Sequence, residues 1–179
     1  MSSFRDLINR YGDVITSVYR LGIDCCGDDC IIRVVDWDYV RGLNCRVHGL
    51  MVDPEQVNEL LRRPSLLKSL LQRGINRLIA YPCIAQDRIS LLNRLGLTIV
   101  NYLVSDGCPL TREVMIHLDA YKVIELVNRG VIVYVHLYYP YIKGRGRPMY
   151  DIDSIFDAAL EYLRRFGARI RLVVDELYR

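Results

Sequence analysis

No apolar run in this chain approaches the roughly 18–20 residues that a membrane-spanning helix needs. A strong charge of one sign is also missing. The formal net charge is +3, too little to argue for a nucleic-acid partner by itself. There is no low-complexity linker and no internal repeat, so nothing suggests an array of modules. The opening stretch, MSSFRDLINRYGDV, is polar and amphipathic and lacks the apolar core of a signal peptide. Glutamine is sparse, while Arg, Tyr and the aliphatics are plentiful, a balance that leans towards a thermophile. The expectation is a soluble cytoplasmic protein with no membrane partner.

What is present suits one globular domain. The chain has 179 residues, 51% apolar and 25% charged, enough to enclose a sizeable core. Six cysteines stand at 25, 26, 30, 45, 83 and 108. Intracellular disulfides occur in hyperthermophiles, but the sequence alone assigns no bridge. Cys26, Cys30, Cys45 and His48 also form a loose set of nitrogen and sulfur donors of the kind zinc takes. Their spacing matches no tight knuckle, so no metal and no cofactor are expected.

Periodicity divides the chain into elements. Residues 3–20 have helical spacing, Phe4, Leu7, Ile8, Tyr11, Val14, Ile15 and Val18, and predict a helix in an N-terminal extension, 1–24. Residues 30–52 read as a β-hairpin turning at Arg41–Asn44. An α/β core, 53–179, follows. Asp53 caps a helix with Pro54 in its first position, and Pro64 splits it. A helix over 87–95 is stopped by Gly96. A strand over 97–104 leads into the loop SDGCP. Thr111 then begins a long helix that carries His117 and ends at Gly130. Residues 131–139 are a nearly continuous apolar strand, as in strands buried on both faces. The next helix spaces Ile155, Ala158, Ala159, Tyr162 and Phe166 for a core. The last segment, RIRLVVDELYR, fits a strand or a helix. Alternating strands and helices give α/β with a mostly parallel central sheet flanked by helices.

In such sheets ligands gather at the carboxyl ends of strands. Two loops leave such ends. One contains Asp106. The other follows His136 and reads LYYPYIKGRGRP. Its Gly144 and Gly146 allow backbone N–H groups to converge on an anion. Lys143 adds charge, and Arg145 and Arg147 can fork onto phosphate oxygens. Tyr138, Tyr139 and Tyr141 offer apolar area with a polar tip, as partner-binding surfaces do. Without this use the loop is a solvated basic turn, and His136 a hydrogen-bonded structural histidine.

The order of elements over about residues 40–165 resembles the dual-specificity branch of the protein tyrosine phosphatases. VSDGCPLT is similar to that family's general-acid loop, with Asp106 in the acid's place. VYVH, ending at His136, is similar to the strand that enters the phosphate loop, and GRGRP to that loop's end, with Arg147 as the phosphate-binding arginine. The resemblance implies a phosphatase-like fold. It breaks at the nucleophile. Where the family has cysteine this chain has Leu137, and no cysteine stands in the family's Cys-x5-Arg spacing. The chemistry needs a low-pKa thiolate, which leucine cannot supply. Pro148 also replaces the Ser or Thr after the arginine. The expectation is therefore a catalytically inactive phosphatase-like protein. It would bind a phosphate, another anion or a protein partner, including a phosphoprotein, through residues 138–148. One alternative is an active phosphatase with a rearranged site, in which Asp106 and His136 serve. Another is a nucleic-acid-associated or structural interaction protein.

Overall fold

The computed structural model describes residues 4–137 and 152–175. The strands are neighbours in chain order, β1 to β8, in a closed sheet, a barrel by strand order. The pairings β1–β2 through β5–β6, and β7–β8, are parallel. This agrees with the expected parallel α/β sheet and does not establish the dual-specificity phosphatase fold. Contacts divide the chain into two compact units, Arg20–Met115 and the combined segments Met1–Tyr19 and Ile116–Arg179. Among the described residues no helix is long and apolar enough to cross a membrane.

In the unit of Arg20–Met115, strands β2 (Gly27–Arg33), β3 (Val47–Val52), β4 (Arg77–Ala80) and β5 (Thr98–Tyr102) are covered on one face by helices. These are α3 (Pro54–Leu61), α4 (Pro64–Gln72) and α5 (Gln86–Arg94). Leu50, Val52, Leu78 and Ile99 meet Val57, Leu60, Leu66, Leu70 and Leu92 in one apolar cluster. The start of α3 is as its sequence dictates. Asp53 accepts from the Gln56 backbone N–H, and the Gln56 side chain accepts from Asp53 N–H, a reciprocal capping box. Pro64 opens α4 and so separates it from α3. Gly96, after α5, has φ +97°, the left-handed turn that lets the chain reverse into β5.

Three elements differ from the sequence expectation. The predicted N-terminal helix is α1 (Phe4–Arg10) followed by strand β1 (Ile15–Gly22). The turn through Gly12 and Asp13 precedes the β-branched run Val14-Ile15-Thr16, which favours strand. The predicted hairpin is a right-through crossover. β2 leads through α2 (Trp37–Arg41), capped by Asp36, into a parallel β3. Trp37 explains this, because its buried ring donates from Nε1 to the Gln56 carbonyl 3.2 Å away and docks α2 on α3. The predicted long helix from Thr111 is strand β6 (Glu113–His117) and a shorter helix α6 (Ala120–Asn128). Val114, Met115 and Ile116 are buried consecutively, a pattern a one-sided helix cannot give. Thr111 accepts from Asn101 N–H instead of capping a helix, and Asp119 caps α6.

Two parallel connections have no helix. Only Ile23–Cys26 separates β1 from β2, although parallel neighbours ordinarily need a crossover of about a dozen residues. The register slips between Gly27 and Ile31. Arg20 grips this bend, donating from Nε and Nη2 to both Asp29 carboxylate oxygens at 2.9 Å and from Nη2 to the Cys26 carbonyl at 2.7 Å. Disulfides Cys25–Cys30 and Cys26–Cys45 staple it. A third, Cys83–Cys108, joins the loops after β4 and β5, the latter being the other helix-free connection. No cysteine is free. The zinc set read from the sequence is thereby corrected, since Cys26, Cys30 and Cys45 are all committed to disulfides.

Cys26–Cys45 closes a sequence separation of 19, so chain-entropy loss predicts about 3 kcal/mol of stabilisation. Replacing both cysteines by serine should lower the unfolding free energy by about that amount in urea, with the m-value raised as the denatured chain becomes less compact. The denatured wild-type protein should show no titratable thiol. Coincident unfolding curves would contradict the staple.

Candidate functional site

The unit of Met1–Tyr19 and Ile116–Arg179 carries the polar side chains that face one another. Its strands β7 (Ile132–Leu137) and β8 (Ile170–Asp175) pair with Tyr134 opposite Arg171 and His136 opposite Val173. Alternation then puts Tyr134 and His136 on the same sheet face as Arg171, Val173 and Asp175. Apolar Val133, Val135, Leu172 and Val174 take the other face. The last segment of the sequence is thus a strand, and its Asp175 is a strand terminus.

Contacts along this face run in one file. Tyr134, fully buried, receives the Arg171 Nη1–H at 2.6 Å, and the guanidinium lies 5.2 Å from its ring centre. Two residues further along β7 and four along β8, His136 Nε2 and Asp175 Oδ1 are 2.8 Å apart. Both residues are buried, His136 at 4% exposure and Asp175 at 5%. A buried carboxylate beside an imidazole fixes the ring's orientation and tautomer. Beyond them His117, the last residue of β6, lies in a stacked arrangement with His136, ring centres 6.0 Å apart. His117 is exposed. It is therefore the solvent-facing end of an array that leads inward through His136 to Asp175.

The protonation of His117 follows from this position. Partial desolvation, and secondarily the neighbouring His136, hold its pKa below the usual value for histidine. A neutral imidazole is thus favoured near neutral pH. It can donate one hydrogen bond and accept another, or take a proton from a bound group. Among the described residues no cluster of three or more His, Cys, Asp and Glu side chains is arranged to hold a metal ion.

His136, chosen from the sequence, is at the centre of this array. His117 was expected on a helix and is at a strand end instead. Asp175 was not singled out. Both close short apolar runs, Val114–Ile116 and Leu172–Val174, and a polar residue closing such a run in an α/β chain is the signal that finds them. Asp106 belongs to the other unit. It is exposed in the turn between β5 and β6, where Ser105 Oγ and Cys108 Sγ are 3.7 Å apart. Lys143, Gly144, Arg145, Gly146 and Arg147, with Tyr138, Tyr139 and Tyr141, lie outside the described residues. His48 is in β3, away from any thiolate, because the nearby cysteines are bridged.

Comparison with known protein families, curated proteins and solved structures returns no match.

A histidine with a depressed folded-state pKa binds fewer protons folded than unfolded. Stability from His117 is therefore present above its unfolded pKa and lost as pH falls below about 6.5. Replacing His117 by Asn should make thermal stability fall less steeply between about pH 7 and 5. Parallel slopes for the two proteins would show that His117 is not desolvated.

Proposed function

We propose that this chain is a non-hydrolytic binding protein for a phosphate-class anion. The ligand lies at the carboxyl ends of β6, β7 and β8. The observation that carries the reading is the array of exposed His117 backed by the buried His136–Asp175 pair, at the ends of three neighbouring strands. Carboxyl ends are where parallel α/β sheets take ligands. An imidazole anchored from behind offers an oriented N–H to an oxyanion.

Sequence supports the charge. Lys143, Arg145 and Arg147 follow β7 directly along the chain, and guanidinium groups suit the paired oxygens of phosphate. Covalent catalysis of the dual-specificity type has no nucleophile to use. Leu137 ends β7, and every cysteine is in a disulfide. The likeness to that phosphatase branch enters this reading only as an origin for an anion-binding loop. The anion's carrier, a free ion or a phosphorylated protein, is of the same chemistry at the site.

Calorimetric titration with tungstate, a phosphate mimic, tests the reading. Saturable binding is expected, and Arg147→Ala and His117→Ala should each weaken it about tenfold or more, from the ~1.5–3 kcal/mol of a hydrogen bond to a charged group. An aryl phosphate should not be hydrolysed. Phosphopeptide binding with no response to free tungstate would place recognition on the protein carrier. Absence of any saturable binding, or equal affinity in both variants, would refute the site. Phosphate release abolished by Asp106→Asn would instead favour an active phosphatase.

A further inference from the structure

The disulfides differ in what surrounds their sulfurs. Cys25 and Cys30 are at 5% and 0% exposure, closed to an external thiol. Cys83–Cys108 has one buried end and one open end. Cys108 is buried, whereas Cys83 is half-buried and lines a cavity of about 200 Å³. The cavity lies between α3 and the start of α5, within the unit of Arg20–Met115. Exchange of a disulfide depends on which sulfur an incoming group can reach. Here that sulfur is Cys83 Sγ.

The two loops do not need the bond to stay together. Buried Asn101 accepts from the Ile84 N–H at 3.1 Å and donates to the Ile84 carbonyl at 3.2 Å and the Pro109 carbonyl at 3.0 Å. Ile84 follows Cys83 and Pro109 follows Cys108, so one amide clamps both cysteine flanks. Reduction therefore leaves the two thiols side by side. Cys108 also has partners for that state. A disulfide sulfur carries no hydrogen, so Ser105 Oγ is the donor across the 3.7 Å to Cys108 Sγ, and it can donate equally to a thiolate. The Tyr102 carbonyl, 3.8 Å from the same sulfur, gains a donor only when Cys108 is a thiol.

The walls of the cavity indicate what enters. Val57 and Ile84 supply apolar area, and Asn58 supplies an amide. Among the described residues, Arg88 is the one charged side chain on the wall. A guanidinium forks onto a carboxylate, and the volume admits only a short ligand. Positive charge beside Cys83, from Arg88 and from the first N–H groups of α5 that no side chain caps, favours a thiolate there.

We propose that Cys83 and Cys108 form a reversible dithiol–disulfide pair that exchanges with a small carboxylate-bearing disulfide seated in this cavity. In the reduced protein the Cys83 thiolate attacks one sulfur of the ligand. A bond from Cys83 to the ligand forms, the ligand's own S–S bond breaks, and one small thiol leaves, taking a proton from solvent. Cys108 then loses its proton and attacks Cys83 Sγ. The protein S–S bond forms, the mixed disulfide breaks, and a second small thiol leaves. The protein gives up two electrons and two protons, and the ligand takes them. Small thiols return them by the reverse steps. Clamped loops make the second attack intramolecular. The inference is independent of the anion reading.

The test uses the full chain and dithiodiglycolate, a short disulfide with a carboxylate at each end. Protein treated with dithiothreitol under native conditions is alkylated and mapped by mass spectrometry. Cys83 and Cys108 should be labelled while circular dichroism stays that of the folded protein. Freed of dithiothreitol, the reduced protein should convert dithiodiglycolate to thioglycolate and recover the Cys83–Cys108 bond. Cys108→Ser should stop at a mixed disulfide on Cys83. Arg88→Ala, at an exposed position, should slow the reaction with dithiodiglycolate about tenfold and leave that with neutral hydroxyethyl disulfide unchanged. Cys83 and Cys108 unlabelled in folded protein, loss of the fold on reduction, or an adduct on another cysteine in Cys108→Ser would each overturn the inference. So would Arg88→Ala rates that do not distinguish the charged disulfide from the neutral one.

Discussion

The hydrogen bond between His136 and Asp175 is the interaction on which the site depends. It joins the ends of β7 and β8 on a sheet face that also carries Tyr134 and Arg171, with both partners buried. A buried polar group that loses a hydrogen-bond partner costs about 1–3 kcal/mol, more if charged. The bond between the two holds the imidazole at a fixed angle. His117 lies in a stacked arrangement with that imidazole, ring centres 6.0 Å apart, so the buried pair stands directly behind the solvent-facing histidine. Arg171 and Tyr134, further down the same face, repeat the device with a guanidinium and a phenol.

Elsewhere the chain solves a different problem with similar means. A parallel sheet built in chain order asks each connection to return the length of a strand, and two connections here lack a helix to do so. Between β1 and β2 the backbone bends within a few residues, and Arg20, Asp29 and two disulfides hold the bend. Between β5 and β6 the loop is tied to its neighbour by Cys83–Cys108. Buried Asn101 also bonds the backbone on both sides, at Ile84 and Pro109. Covalent and polar crosslinks therefore stand where helices would otherwise pack. The other unit's edge is managed without sulfur. There Arg10 and Tyr11 reach Asp157, and Arg164 forks onto Asp13 at 2.7 and 2.8 Å, tying the chain's start to helix α7 (Ile152–Arg165).

Much of this was legible in the sequence where one local signal dominates. Asp53 and Pro54, Pro64, Gly96 and Gly130 mark boundaries through chemistry that does not depend on distant residues. The apolar run ending at His136 announced a buried strand. Illegible parts were those where two periods coincide. Phe4 to Val18 satisfies a helical spacing, yet the β-branched residues after Gly12 pair as a strand. Glu113 to His117 sits inside a helical stripe, and only pairing with β5 makes it a strand. Misreading that element put His117 on the wrong kind of structure. On α7 the period was right and the face was wrong, since Phe156, Leu160 and Leu163 are buried while Ile155 and Phe166 are exposed. The cysteine pairs could not be chosen from spacing, since six thiols allow many connectivities.

The central claim is that the His117–His136–Asp175 array meets an anion. Nitrogen-15 NMR of the histidine side chains, recorded during titration with tungstate, tests it directly. The account predicts saturating shifts of the His117 resonances and smaller ones for His136, with His48 still. Binding that moves neither His117 nor His136 would contradict it.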